Sequence, residues 1–275
     1  MFVRTLDDLR AAGKEKVLVG GRARVVRSLT AVDGLGFSFS DVRVAAGSET
    51  TLWYKNHWEM NYIVSGRGEV EDLTTGESWP LTAGTLYTVG PKDRHKITAA
   101  EDVRIISVFN PPITGDESHD EDGAYPPTGD IPEGQERMFV KTVEELRAAG
   151  REKVVADGSA RTVRMLLKED GVGVTMCDVN LAAGNRNVLW YKTHWEANYV
   201  LSGEGDVSDL TSGESWPLAP GTMYCDGPDD RHAMHAETDL HLLSVFCPAL
   251  QGDEMHDEDG ALAPSGPVPP GPKAG

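Results

Sequence analysis

The stretch "LWYKNHWEMNYIVSGRGEVEDL", residues 52–73, sets a tyrosine, a histidine and a glutamate beside an apolar run that ends in a G-x-G turn. It returns as "LWYKTHWEANYVLSGEGDVSDL", residues 189–210. The flanking sequence returns with it. "MFVRTLDDLRAAGKEKV" from Met1 is matched by "MFVKTVEELRAAGREKV" from Met138. "LTTGESWPLTAGTLYTVGPKDRHKI" is matched by "LTSGESWPLAPGTMYCDGPDDRHAM", and "VFNPPITGDESHDEDGAY" by "VFCPALQGDEMHDEDGAL". One constant offset of 137 residues aligns all of these without a gap. A period this long is a tandem duplication of a whole domain rather than a solenoid repeat. The division predicted is a first domain over 1–125, a linker over 126–137, a second domain over 138–262 and a disordered tail over 263–275. The linker "PPTGDIPEGQER" and the tail "APSGPVPPGPKAG" are assigned on their Pro/Gly content.

Each repeat opens with a short helix, for which Thr5 and Thr142 are the N-caps and Gly13 and Gly150 the stops; Thr142 with Glu145 fits a capping box. The remaining signals are β. "GFSFSDVRV", "MNYIVSG" and "RIISVF" are short, partly alternating and rich in β-branched or aromatic residues, with "DG", "TGE" and "AG" turns between them. Many short strands separated by glycine turns predict a closed barrel or double-sheet jelly roll, and the loop lengths do not suit βαβ units.

Composition narrows the function. The chain has 275 residues, 39% hydrophobic and 25% charged, ordinary values for a soluble globular protein. Its net charge of −18 argues against a nucleic-acid or anionic-membrane partner, either of which calls for a basic patch. Three cysteines, Cys177, Cys225 and Cys247, have neither C-x-x-C spacing nor counterparts in the first repeat, and read as buried thiols in a reducing compartment. With no signal-peptide-like apolar run at the start, the expected location is the cytoplasm.

The duplication is its own filter for chemistry. Of eight histidines, six form matched pairs: His57/His194, His95/His232 and His119/His256. Glu59/Glu196, Tyr54/Tyr191 and Tyr87/Tyr224 are matched too. A glutamate, an apolar strand and a G-x-G turn have the shape of the first cupin motif, and "WPLTAGTLYTVGPKDRH" resembles the second. In a cupin barrel these segments bring the Glu and the His to one metal. His57 and Glu59, two residues apart, face the same side if both lie on the strand. A Glu/His/Tyr set with open positions suits a Lewis-acid metal such as Fe(II), Zn(II) or Mn(II). The alternative is a hydrogen-bonded polar cluster closing the barrel mouth.

"WYKNHWEMNYIVSGRGEVEDLTTGESWPLTAGTLY", "DRH" and "VFNPPITGDESHDEDGAYP", with the opening "MFVRTLDDL", resemble the ectoine synthase family, and both repeats carry the resemblance. It implies an all-β fold of two tandem cupin (jelly-roll) β-barrels, each with a short N-terminal helix. It also implies an iron-dependent cyclodehydratase that closes N-γ-acetyl-2,4-diaminobutyrate, or a relative, into a cyclic amidine with loss of water. The metal is expected to be Fe(II), with Zn(II) or Mn(II) as substitutes. The implied ligands are Glu59, Tyr87 and His95, and Glu196, Tyr224 and His232. The implied substrate contacts are Arg27, Tyr54, His57, Trp79, Asp93, Phe109, Pro111, Glu117 and His119, repeated at Arg164, Tyr191, His194, Trp216, Asp230, Phe246, Pro248, Glu254 and His256. Among these, Arg27 and Arg164 are expected to hold a carboxylate bidentately, and Trp79 and Phe109 to wall the cavity. Tyr54, His57, Glu117 and His119, with Tyr191, His194, Glu254 and His256, are the candidates for proton transfer. The family's head-to-tail dimer of single barrels implies an intrachain pseudo-dimer here, in a monomer or low-order homo-oligomer acting on a small amino-acid substrate.

Two departures from the family pattern occur in both repeats. Ala23 and Ala160 stand where the family has a tryptophan, and Ser40/Val42 and Cys177/Val179 where it has an Asn or His followed by a Thr. They leave the metal chemistry intact and point to a substrate with a longer or less polar acyl group or backbone. The competing classes are another metal-dependent cupin enzyme, such as an Fe(II) oxygenase, and a non-catalytic protein that binds a small zwitterion.

Overall fold

The computed structural model describes residues 1–155 and 158–272. They form two compact units that do not coincide with the two sequence repeats. One is built on Leu9–Glu145; the other comprises Met1–Asp8 and Leu146–Gly271. They are called the first and second barrel below.

In the first barrel a seven-stranded sheet runs, in spatial order, Phe139–Thr142, Thr85–Val89, Trp58–Ser65, Val103–Asn110, Ser38–Val44, Ala23–Leu29 and Glu15–Leu18. A four-stranded sheet runs Glu49–Leu52, His95–Ala99, Gly68–Asp72 and Ser78–Leu81. All pairings within it are antiparallel. The second barrel repeats this arrangement with Phe2–Thr5, Thr222–Asp226, Trp195–Ser202, Leu240–Cys247, Thr175–Leu181, Ala160–Leu166 and Glu152–Val155, and a second sheet Arg186–Leu189, His232–Ala236, Gly205–Asp209 and Ser215–Leu218.

The edge strand of each large sheet comes from the opposite repeat. Val140 pairs with Tyr87, and Val3 pairs with Tyr224. Each candidate ligand tyrosine therefore sits on a strand completed by the N-terminal segment of the other repeat. Helices Leu6–Ala11 and Val143–Ala148 follow these edge strands. Thr142 Oγ1 accepts the Glu145 amide at 3.1 Å while Glu145 Oε2 accepts the Thr142 amide at 3.0 Å, a closed capping box.

The strand Trp58–Ser65 carries the site. Trp58 through Ile63 are all buried, so the alternation expected of a half-buried strand is absent: this central strand is covered on both faces. The following turn needs both its glycines. A Cβ at Gly66, where φ is +90°, would lie 2.1 Å from the Asp102 carbonyl oxygen, and one at Gly68 would lie 2.5 Å from that of Thr98.

The residues assigned to a linker and a disordered tail are seated on the barrels. Trp58 Nε1 donates to the Pro132 carbonyl at 2.9 Å, and Trp195 Nε1 to that of Pro269 at 3.0 Å. A Cβ at Gly134 or Gly271 would fall 2.2 Å from the corresponding indole. These straps hold because an aromatic face and an indole donor fix a glycine-bearing segment that offers a free carbonyl. The tail expectation thus does not describe residues 263–272, while 273–275 lie outside the described residues. Cys177, Cys225 and Cys247 are buried, and none forms a disulfide among the described residues. No helix among the described residues is long and apolar enough to cross a membrane.

Candidate active site and metal centre

The strand ladder assembles the donors. Glu59 lies opposite Val89, and Asn61 opposite Tyr87, so Glu59 and Tyr87 are diagonal neighbours on one face. His95 opens the next strand, its ring centroid 6.4 Å from that of Tyr87 and 6.3 Å from that of Tyr54. All three side chains are buried, and Glu59 Oε2 and His95 Nε2 have no hydrogen-bond partner among the described residues. Buried polar atoms without partners are costly and uncommon. A carboxylate oxygen and an imidazole nitrogen left open beside a phenol are a donor set that a divalent cation satisfies. Burial pushes the Glu59 carboxyl up to about 7, against hydrogen bonds from Asn61 and Ser107, and lowers His95 to about 4. Burial, reinforced by the Glu59 charge, raises the Tyr87 phenol well above its ordinary range.

The second barrel has the same trio, Glu196, Tyr224 and His232, and one addition. Asp226 occupies the place of Val89, directly opposite Glu196 in the ladder. Ligand-capable atoms of Glu196, Asp226 and His232 all lie within 4.8 Å of one another. Burial and then the Asp226 carboxylate push Glu196 up to about 8. The Tyr224 hydroxyl donates to Met234 Sδ at 3.2 Å, a contact for which the first repeat has Ile97 instead of the methionine.

Beside each trio lies a cavity. The first, about 80 Å³, is lined by Arg27, Tyr54, Glu59, Tyr87, Phe109 and His119 among others; the second, about 340 Å³, by their equivalents Arg164, Tyr191, Glu196, Tyr224, Phe246 and His256. The departures Ala23, Ser40 and Val42, and Ala160, Cys177 and Val179, all lie on these walls. Tyr125 in the first wall is Leu262 in the second, and the second cavity also reaches outward to the exposed Arg186, Val188, Asp257 and Glu258. Tyr125 stacks on His119 with centroids 4.4 Å apart and accepts from Arg27 Nη2 at 3.2 Å.

A tyrosine–histidine pair stands over each cavity: Tyr54 Oη is 2.9 Å from His119 Nε2, and Tyr191 Oη is 3.0 Å from His256 Nε2. Phe109 meets Tyr54 edge-on at 5.1 Å, and Phe246 meets Tyr191 at 5.2 Å. Burial first, then the Arg27 charge, lowers His119 to about 4, so its ring is neutral near pH 7.

Other expected site residues stand back from the walls. His57 precedes the strand by one residue, so the two-residue alternation with Glu59 does not apply; its Nε2 instead meets Thr128 Oγ1 of the strap at 3.1 Å. His194 meets Ser265 Oγ in the same way at 2.9 Å. Trp79 and Trp216 are partly buried and pack against the core of their barrel. Asp93 and Asp230 brace the loop before His95 and His232, accepting the Gly90 and Gly227 amides at 2.8 and 2.9 Å. Pro111 packs near Gly129 of the strap, and Pro248 near Gly266. Glu117 accepts the Thr114 and Gly115 amides and lies 3.6 Å from Arg27 Nη1. Arg27 Nη1 and Nη2 are spent on the Gly115 carbonyl, the Glu117 carbonyl and Tyr125, and only Nε is unpaired. Arg164 gives Nη1 to Glu254 Oε2 at 3.2 Å and Nη2 to the Glu254 carbonyl at 2.9 Å. Neither guanidinium presents the free fork that a bidentate clamp requires.

Four residues escaped sequence reasoning: Asp226, Tyr125, and the strap hydroxyls Thr128 and Ser265. The first two differ between repeats, and a filter that keeps only shared residues discards them. Thr128 and Ser265 lie in "PTGDIPEG" and "PSGPVPPG", whose common spacing was the available signal.

Two antiparallel jelly-roll barrels, each with a buried carboxylate–phenol–imidazole set beside a cavity, define a two-barrel cupin. The fold is shared with an oxalate decarboxylase of Lactobacillus farciminis, solved as a formate complex (TM-score 0.66, 14% identity, covering 91% of this chain and 87% of that one). It is shared also with the protein Ylba of E. coli (TM-score 0.64, 17% identity, 90% of each chain). The model of the family described as ectoine synthase matches residues 1–129 and again 138–265, and the chain belongs to that family. L-ectoine synthase of Desulfatibacillum aliphaticivorans is 45% identical over 126 residues, 46% of this chain and 97% of that protein. That of Thermobifida fusca is 43% identical over 126 residues, 46% of this chain and 92% of that protein.

Proposed function

We propose that the chain is an ectoine-synthase-type cyclodehydratase with a centre in each barrel. The reaction is an intramolecular condensation. The free amine of an N-acyl diamino acid attacks its own amide carbonyl carbon, forming a C–N bond and losing a proton. Water then leaves, carrying the former carbonyl oxygen, and the C=N bond of a cyclic amidine forms. The substrate is N-γ-acetyl-2,4-diaminobutyrate or a relative with an altered chain or acyl group, as the departures on the cavity walls favour. The observation that carries this reading is a buried Glu–Tyr–His trio with open donor atoms, beside a cavity with an arginine and a tyrosine–histidine pair, built twice.

Glu59, Tyr87 and His95, and Glu196, Tyr224 and His232, would hold a divalent metal, with Fe(II) first and Zn(II) or Mn(II) as substitutes. Such an ion supplies Lewis-acid polarisation of a carbonyl oxygen. The protein's residues do the rest. The neutral His119 imidazole, oriented by Tyr54, is suited to accept the amine proton, and the Tyr54 hydroxyl to return one to the departing oxygen. His256 and Tyr191 take the same roles in the second barrel. Arg27 directs its unpaired Nε at the substrate carboxylate, held in place by Glu117. Phe109 and Phe246 exclude water from the folded substrate, which already tethers nucleophile to electrophile. Glu117, Glu254, His57 and His194 position these groups rather than touch the reacting atoms. One chain supplies both barrels, as a monomer or low-order homo-oligomer, which light scattering tests.

The decisive experiment incubates the metal-loaded protein with N-γ-acetyl-2,4-diaminobutyrate and a panel of related N-acyl diamino acids, following loss of water by mass spectrometry. Cyclisation of at least one member is expected. If none cyclises while ectoine itself binds tightly, the protein is a zwitterion-binding cupin and the reading is wrong.

A further inference from the structure

The two centres differ at one buried position. Strand alternation places Asp226 on the same face as Tyr224, two residues away, so its carboxylate points where the candidate ligand points. The cross-strand partner of Asp226 is Glu196. Two carboxylates directly opposite each other repel. Asp226 is 0% exposed, and neither of its oxygens has a hydrogen-bond partner among the described residues. Its Oδ2 lies 3.5 Å from His232 Nδ1. The Met1 amino group is within electrostatic reach of Asp226 but is hydrogen-bonded to Asp230. In the first barrel the equivalent Val89 is fully buried in the apolar core and faces Glu59 in the same register. A strand position that accepts valine in one barrel has no packing need for a carboxylate in the other. A cation shared between Asp226 and Glu196 would resolve both the repulsion and the missing partners.

We propose that Asp226 is an additional metal ligand of the second barrel, making its centre a two-carboxylate site that binds hard divalent cations more tightly than the first. This rests on the reading that each trio holds a metal. An added anionic oxygen raises the affinity for any divalent ion, and most for those that favour oxygen over nitrogen, such as Mn(II). The two centres of one chain are then unequal, and the second fills first.

The test titrates chelator-stripped full-length protein with Mn(II) by calorimetry and records the electron paramagnetic resonance spectrum of the bound ion. Two classes of site are expected, with the tighter removed by Glu196→Ala and the weaker by Glu59→Ala. Asp226→Val gives the second barrel the residue that the first already carries, and Asp226→Asn keeps the shape of the side chain. Each should weaken the tighter class by about 10- to 100-fold or more, the scale of losing even an outer partner of a ligand, and should alter the spectrum. Val89→Asp should tighten the weaker class. Two indistinguishable classes in the native chain, or a tight class unmoved by both Asp226 variants, would overturn the assignment and leave the trios standing. Weaker binding with an unchanged spectrum would make Asp226 a positioning residue acting through His232, and also overturns it. Absence of Mn(II) from both barrels, with Fe(II) and Zn(II) also failing to bind, would remove the metal reading itself.

Discussion

The two barrels share strand order, ladder register, straps and the Glu–Tyr–His trio, yet their interiors have separated. The first has a cavity of about 80 Å³ with Tyr125 on its wall, which ties Arg27 to the stacked His119 ring. The second has Leu262 there, keeps a cavity of about 340 Å³ and adds Asp226 beside its trio. The lesson is that duplication holds fixed what both barrels need to fold and to place the donors, and frees the wall and the strand end for divergence. Cavity size and donor charge therefore vary independently of the scaffold.

The largest effect tests what the barrels share. Glu59→Ala and Glu196→Ala should each remove one of two bound metals per chain, and the double variant both, as read by elemental analysis. Turnover by the affected barrel should fall by at least about 100-fold, as when a preorganised transition-state stabiliser is lost. Metal content unchanged in both single variants would show that the trios are not ligands and that the likeness between the barrels is merely structural.

Next comes the strap. Trp58→Ala and Trp195→Ala each delete an indole that packs on two glycines and donates to a proline carbonyl. Trp58 is buried, and its loss should cost about 3–5 kcal/mol, the range for a buried aromatic cut to alanine, visible as an earlier denaturation midpoint. Trp195 is only partly buried, so its loss should be smaller though still measurable. A large loss at Trp58 and none at Trp195 would mean that the chain end is not seated as its internal counterpart is.

Exchange of the wall residues sharpens the contrast in cavity size. Tyr125→Leu, measured in a Glu196→Ala background, should shift the first barrel's preference toward bulkier acyl groups; Leu262→Tyr, in a Glu59→Ala background, should shift the second toward smaller ones. Pocket differences of this kind are worth about 1–3 kcal/mol, or roughly 10- to 200-fold in the ratio of kcat/KM between two substrates. Unchanged preferences would place selectivity on the shared departures Ala23, Val42 and their equivalents instead.

The smallest effect concerns pH. Burial acts to raise Glu117 and Glu254, but the hydrogen bonds from the amides at 114–115 and 251–252 outweigh it and hold both below the ordinary glutamate range. A carboxyl lowered in the folded state binds fewer protons there than when unfolded. Its stabilisation is complete above the unfolded pKa and is lost as the pH falls through the lower folded value. Glu117→Gln and Glu254→Gln should therefore flatten the acid side of the stability–pH profile and leave its neutral side with the smaller difference in slope, in equal measure for the two barrels.

Much of this was legible in the chain. The offset of 137 residues, the alternating segments and the glycine turns specify two β-barrels. The G-x-G after the central strand is explained by backbone oxygens that leave no room for a Cβ. Glu59 and His95 are picked out by the two cupin-like motifs and Tyr87 by the resemblance to the ectoine synthase family; the ladder then makes Glu59 and Tyr87 diagonal neighbours. His57 was misplaced because the two-residue alternation holds only within a strand, and the strand begins at Trp58. The straps were misread because proline and glycine content signals a lack of regular secondary structure, which is not a lack of contacts.

The duplication and the all-β fold class follow from local period and turn chemistry, and the trio of candidate donors from the resemblance of both repeats to the ectoine synthase family. It takes the folded chain to show which repeat completes which sheet, that the terminal nitrogens of Arg27 are already spent, that Tyr125 and Leu262 line equivalent cavities, and that Asp226 lies buried against Glu196. Each of these depends on residues far apart in the chain meeting across a ladder or a cavity, and no local pattern encodes such a meeting.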